Sequence, residues 1–215
     1  MKRVFGNLEI AFDIMYLVSA FIIGIVLLMT SSSDLHTQAG IMTIILVVGD
    51  SFHLIPRIKV IITKNEKALR TALGRGKQIT SVSMTLFYLL LWQIGLQISS
   101  TTVLPFWNCL IYAMAVLRVV LCFLPANRWV DVKPPVKWGI YRNIPFFIIG
   151  IMVSILFFLN RNVIISIHYM WLAILFSFSF YLPVVLFTNR NPKIGMLMLP
   201  KTGCYLWVIS MCLFL

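Results

Sequence analysis

The chain is short of negative charge: of 215 residues only 6 are Asp or Glu, against 18 Lys or Arg. It is also short of charge altogether, at 11%, where a soluble domain carries about a quarter. With 60% hydrophobic residues, that shortage excludes an ordinary soluble domain and points to an integral membrane protein. Cysteine is scarce and scattered. The 4 thiols, Cys109, Cys122, Cys204 and Cys212, stand singly, without the CxxC spacing of a metal or redox site, and read as small apolar packing residues. No Gly/Ser/Pro-rich linker, low-complexity tract or repeat of fixed period divides the chain. Residues 1–215 are therefore expected to form one domain.

What is present is a series of apolar runs. Runs of roughly the 20 residues needed to cross a bilayer occur near 9–30, 39–63, 80–99, 103–124, 140–159, 163–188 and 196–215. The expected fold is all-α, a bundle of seven transmembrane helices. Lys2 and Arg3 precede the first run as in a signal peptide. However, the stretch Ile14 to Met29 exceeds a usual signal-peptide core, Glu9 and Asp13 interrupt its entry, and "TSSSDLHTQAG" offers no small-x-small cleavage site. The first run is read as a retained helix.

The net charge of +12 would suit nucleic acid in a soluble protein, but here its distribution argues otherwise. Loop Lys and Arg fall at 2 and 3, between 59 and 77, between 128 and 142, and at 190 and 193, while the alternate loops hold only Arg161. Positive charge in loops stays cytoplasmic, so the N-terminus is expected inside and the C-terminus outside. A basic inner face suits anionic lipid headgroups of the bilayer. No aromatic-interleaved basic groove suggests nucleic acid.

Polar residues inside the apolar runs are the informative ones, because a charge in the membrane is costly and tends to face the bundle interior. In "ILVVGDSFHLIPRIKVII", Thr43, Leu46, Asp50, His53 and Arg57 fall on one helical stripe, with Pro56 removing an amide donor between them. The first run carries Glu9, Asp13 and Tyr16 on one face, the third a milder stripe of Ser81, Thr85, Tyr88 and Trp92. Arg118 lies in the inner half of the fourth run and Lys201 in that of the seventh. Glu9, Asp13 and Asp50 can be balanced by Arg57, Arg118 and Lys201, the pairing expected if all face one cavity that opens to the cytoplasm between helices 1, 2, 4 and 7. A structural ion-pair network would use the same residues, and Arg118 and Lys201 could equally snorkel toward headgroups. His168 and His36 lie toward the outer side.

Metal catalysis needs about three convergent ligands; Asp50 and His53 supply two, with Asp13 or His168 as a third. No cofactor follows from the residues. The seven-helix hydrolases related to hemolysin III carry Ser-x-x-x-His and a closing His-x-x-x-His; here Gly49 stands four residues before His53 and the last run has no histidine. A rhodopsin reading of Lys201 lacks a carboxylate counterion on the third helix and has the opposite orientation. A sugar transporter with seven helices would also be oppositely oriented.

"VVGDSFHL" followed by "LGRGKQITSVSMTLFYLL" resembles the lysoplasmalogenase (YhhN) family of membrane hydrolases over residues 41–95, through Gly49, Asp50 and the small residues that open the next helix. The family's second aspartate follows a serine on a late helix, where this chain has Phe180 after Ser179, and the family usually has eight helices. The resemblance implies a hydrolase whose acid/base pair would be rebuilt from Asp50 with Asp13 or His53.

The function expected is therefore lipid-directed: binding, and in a catalytic version hydrolysing, an anionic lipid or lysolipid. Asp50, His53 and Asp13 would be the catalytic candidates, with Asp50 as general base and His53 as its proton partner. Arg57, Arg118 and Lys201 would bind the substrate's anionic group. A proton-coupled permease would use Asp13, Asp50 and His53 to carry the proton. A non-catalytic sensor or assembly partner would use them for the bundle alone. The expected location is a bacterial plasma membrane.

Overall fold

The computed structural model describes residues 2–30, 33–99 and 104–215, with the side chains of residues 2–5 and 192 left aside. The side chains of Lys2 and Arg3, and the middles of the connections "SSSDLHTQAG" and "SSTTVLP", lie outside the described residues. The helices are α1 (Lys2–Met29), α2 (Asp34–Thr63), α3 (Glu66–Ile98), α4 (Pro105–Phe123), α5 (Val136–Leu159), α6 (Met170–Phe187) and α7 (Met198–Met211), joined by short 3₁₀ turns and loops. No strand occurs among the described residues. Among the described residues, seven helical segments are long and apolar enough to cross a membrane, as an integral membrane protein requires.

Local chemistry marks the ends. The Ser33 side chain accepts from the His36 amide to start α2, and Asn65 accepts from the Ala68 amide to start α3. Pro105 takes the first position of α4, where its missing N–H is no loss. Lys64 ends α2 in the left-handed region, φ 55°. Between Lys64 and Asn65 the chain turns so tightly that residues 66–79, expected as part of a basic loop, are instead the first turns of α3. The Glu66–Arg70 pair at 3.6 Å supports that extension. At 33 residues, α3 is about 50 Å long at ~1.5 Å per residue, well beyond the ~30 Å hydrocarbon core. Its basic first turns, with Lys67, Arg70, Arg75 and Lys77, make up much of the excess length.

Each helix packs on the next, α7 returns to α1, and α3 also meets α5 across the middle. Asn189 donates to the Pro134 carbonyl at one end of the bundle, and Ser166 to the Phe214 carbonyl at the other. Along α1, Ile14, Val18, Phe21, Ile22 and Ile25 face away from the protein while Asp13, Tyr16, Ala20 and Leu27 are buried. That division gives an apolar belt outside and a polar seam within.

The closest helix contact is α2 on α3. A side chain on Gly49 would collide with Ser83, and one on Gly76 with the Phe52 carbonyl. Thr80 fastens the same contact by donating to the Gly49 carbonyl at 2.9 Å. The middle of the bundle is aromatic. Tyr88 meets Phe146 edge-on at 5.1 Å, Phe146 meets Phe178 at 5.0 Å, and Phe87 meets Tyr205 at 5.7 Å.

Candidate functional site

The α2 stripe faces the interior and becomes more exposed toward its C-terminal end: Thr43, Leu46 and Asp50 are buried, His53 half-buried and Arg57 exposed. The Tyr16 hydroxyl of α1 donates to Asp50 Oδ2 at 2.8 Å in a fully buried setting. Lys201 of α7, only 6% exposed, is the cation whose field acts on Asp50, although the two stand outside direct ion-pair contact. Its ammonium lies 4.6 Å from the Tyr205 ring centre and 5.0 Å from that of Tyr181, within cation–π range. Asp13, 4% exposed, sits in the combined fields of Glu9, Arg57 and Asp50.

The six expected charges do not all meet. Arg57 pairs with Glu9, Nε to Oε1 at 2.7 Å and Nη2 to Oε2 at 3.4 Å, and its side chain is 46% exposed. This two-pronged pair forms at the basic end, away from Arg118. His53 makes no hydrogen bond to Asp50. Its ring reaches the Leu73 backbone of α3, and its buried Nδ1 has no partner. Asp50 and His53 find no third metal ligand among the described residues. His168 bonds the Arg161 carbonyl at 3.1 Å and His36 bonds Ser33 at 3.0 Å, both near the opposite end of the bundle.

Arg118 is the residue whose setting is most unusual. It is 2% exposed, its guanidinium carbon lies over Phe146 at 3.3 Å from the ring centre, and Nε and Nη1 have no hydrogen-bond partner. The chain's acids are accounted for elsewhere: Glu9 with Arg57, Glu66 with Arg70, Asp34 and Asp131 at helix end and loop, Asp13 and Asp50 toward α1, α2 and Lys201. The groups that act on Arg118 are the phenols of Tyr181 and Tyr205 and the Cys122 thiol, which also hydrogen-bonds the Arg118 side chain, and not a carboxylate. Stacking on an aromatic ring offsets about 2 kcal/mol when desolvated. An uncompensated buried charge costs about 3–5 kcal/mol. A polar deficit therefore remains at the buried Nε and Nη1.

Around this cation stand further polar groups, of which Tyr88 alone is on a stripe expected from the sequence. Tyr181 donates to Asn143 Oδ1 at 3.0 Å, and Tyr88 shares a hydrogen bond with Ser177 at 3.3 Å. Asn143, Phe146, Tyr181 and Tyr205 read in the sequence as ordinary membrane-helix residues. The one available signal was that Tyr205 follows Lys201 by four positions, one turn on the same face. All seven helices thus contribute to the polar seam.

The glycine and small residues behind the lysoplasmalogenase resemblance have a packing role, since Gly49, Ser83 and Thr80 form the α2–α3 contact. The chain was compared with protein-family models, curated proteins and solved structures, and it matches none of them.

Proposed function

We propose that this chain is an integral membrane protein that binds an anionic lipid or lysolipid in its polar interior, entered from the cytoplasmic leaflet. The observation that carries the reading is Arg118: a buried guanidinium with two unpartnered nitrogens and no carboxylate acting on it needs an anion. A phosphate or carboxylate within reach of Nε or of Nη1 would supply the missing acceptor with a charge-assisted hydrogen bond. Lys201 is the second buried cation of the same seam. The segregation of loop Lys and Arg supports a cytoplasmic N-terminus and an external C-terminus.

Binding is better supported than hydrolysis. Asp50 is already engaged by Tyr16 and by the field of Lys201, and His53 turns to α3 instead of toward it. The proton-coupled permease retains one specific support: Asp13 and Asp50 are buried carboxylates on adjacent helices that act on each other.

The test is lipid retention by the purified protein. Mass spectrometry after detergent exchange should find anionic lipid on the intact chain and on Arg57→Gln, with at least tenfold less on Arg118→Gln at equal thermal stability. Equal retention by Arg118→Gln would defeat the reading. Anion flux across sealed vesicles that vanishes in Asp13→Asn and Asp50→Asn would favour the permease. A reporter active only outside the membrane should give signal when fused at Leu215 and none when fused at Lys64.

A further inference from the structure

A second feature lies apart from the interior seam. The α4–α5 connection and the first turns of α5 enclose a groove of about 430 Å³, whose lining includes Arg128, Pro135, Lys137, Trp138 and Tyr141. The loop that makes its wall is firmly held. Asn127 is fully buried, donates to the Leu121 and Leu124 carbonyls at 2.6 and 2.9 Å, and accepts from Arg142 at 2.9 Å. Arg142 in turn stacks over Trp129 at 4.1 Å, and the Trp129 indole donates to the Cys122 carbonyl at 2.9 Å. The groove therefore exists before any ligand arrives.

Its chemistry is divided. Trp138 and Tyr141 meet edge-on at 5.7 Å and, with Pro135, supply an apolar wall of the amphipathic rings that favour a membrane interface. Arg128 and Lys137 are exposed and belong to neither ion pair found among the described residues. After Glu66 the chain contains a single acid, Asp131, against 13 Lys and Arg. The groove also sits where one membrane-spanning helix ends, at Phe123, and the next begins, at Val136.

We propose that this groove binds one anionic phospholipid of the adjoining leaflet, its phosphate between Arg128 and Lys137 and its first acyl methylenes along Pro135, Trp138 and Tyr141. A soluble anion would use the cations and leave the aromatic wall idle. A zwitterionic lipid would use the wall and bring its own cation against the two in place. An anionic lipid matches both halves. The proposal does not depend on Arg118 or on the interior reading.

Brominated lipids quench nearby tryptophan, so the intact chain and Trp138→Phe, each in lipid nanodiscs, isolate the Trp138 signal by difference. Brominated phosphatidylglycerol should quench it at about tenfold lower mole fraction than brominated phosphatidylcholine, two nearby cations being worth at least that preference. Arg128→Asn combined with Lys137→Gln should abolish the preference. Asparagine is chosen because Arg128 is left-handed, φ 47°, a conformation it tolerates. The matched control, Lys64→Asn with Lys67→Gln, removes equal charge from the same basic end and should keep the preference. Equal quenching by the two lipids overturns the proposal. Equal loss in both double variants also overturns it, because it would show a diffuse surface potential, and so does displacement by millimolar inorganic phosphate, which would show a soluble occupant.

Discussion

The carbonyl of Phe52 faces Gly76 so closely that a methyl group on the glycine would collide with it. Pro56 explains why that carbonyl is available: having no N–H, it cannot supply the bond that Phe52 would receive from the residue four positions on. The proline on α2 and the glycine on α3 are thus two parts of one backbone contact, and the polar stripe of α2 is set against α3 by it.

Gly76→Ala is expected to destabilise the bundle by about 1–3 kcal/mol, the usual cost of overpacking, because the obstructing atoms belong to the backbone of Phe52 and His53 and cannot rotate aside. Gly203→Ala in α7 meets nothing within 4 Å and should stabilise by about 0.5–1 kcal/mol through helix propensity. Thermal unfolding in one detergent compares the two. A neutral Gly76→Ala would mean that α2 and α3 are not held this close.

Tyr16→Phe removes the donor to Asp50 Oδ2 without changing shape. Hydrogen bonds to charged groups contribute about 1.5–3 kcal/mol, so the variant should lose roughly that in unfolding measurements. Adding Asp50→Asn should recover part of the loss, since an amide needs the phenol less than a carboxylate does. Additive losses would place the two residues in separate environments.

The Glu9–Arg57 pair should prove weak despite its two-pronged geometry. Exposed ion pairs contribute about 0.2–1 kcal/mol, and Arg57 is 46% exposed. A double-mutant cycle of Glu9→Gln and Arg57→Gln should give a coupling within that range and leave lipid retention intact. Loss of retention in Arg57→Gln would bring this arginine back into the anion site.

The contrast between Arg57 and Arg118 shows where sequence reading succeeds and where it stops. Asp13, Tyr16 and Asp50 are legible as interior because charge inside an apolar run has few other places to go, and the structure buries all three. Which acid takes which base is not legible. Glu9 precedes Arg57 by 48 positions, and only the approach of α1 to α2 removes that arginine from the shared set. The surroundings of Arg118 were hidden for a different reason: Phe146, Tyr181 and Tyr205 are aromatic residues in apolar runs, where packing, interface and cation stacking leave the same pattern. The early start of α3 was obscured because its first turns are basic and carry two glycines, Gly74 and Gly76, which normally weaken a helix but here admit the Trp129 and Phe52 backbones.

Lys201 separates the structural role of the seam from its binding role. Its ammonium is buried, lies beside the Tyr181 and Tyr205 rings, and supplies the cation acting on Asp50. If that counter-charge matters, Lys201→Met leaves Asp50 with Tyr16 alone and should destabilise the bundle, by less than the about 3–5 kcal/mol of a contacting buried pair because the two stand outside ion-pair contact. A second change, Asp50→Asn, should then restore most of the stability, whereas Asp13→Asn should not, because the Asp13 carboxylate lies in the field of Arg57 and not of Lys201. The restored double variant Lys201→Met/Asp50→Asn is the useful one for lipid retention, since it is folded and still has Arg118. Retention reduced about tenfold would make Lys201 a second contact to the anion. Undiminished retention would leave Arg118 as the sole cation of the site, and rescue by Asp13→Asn in place of Asp50→Asn would overturn the pairing itself.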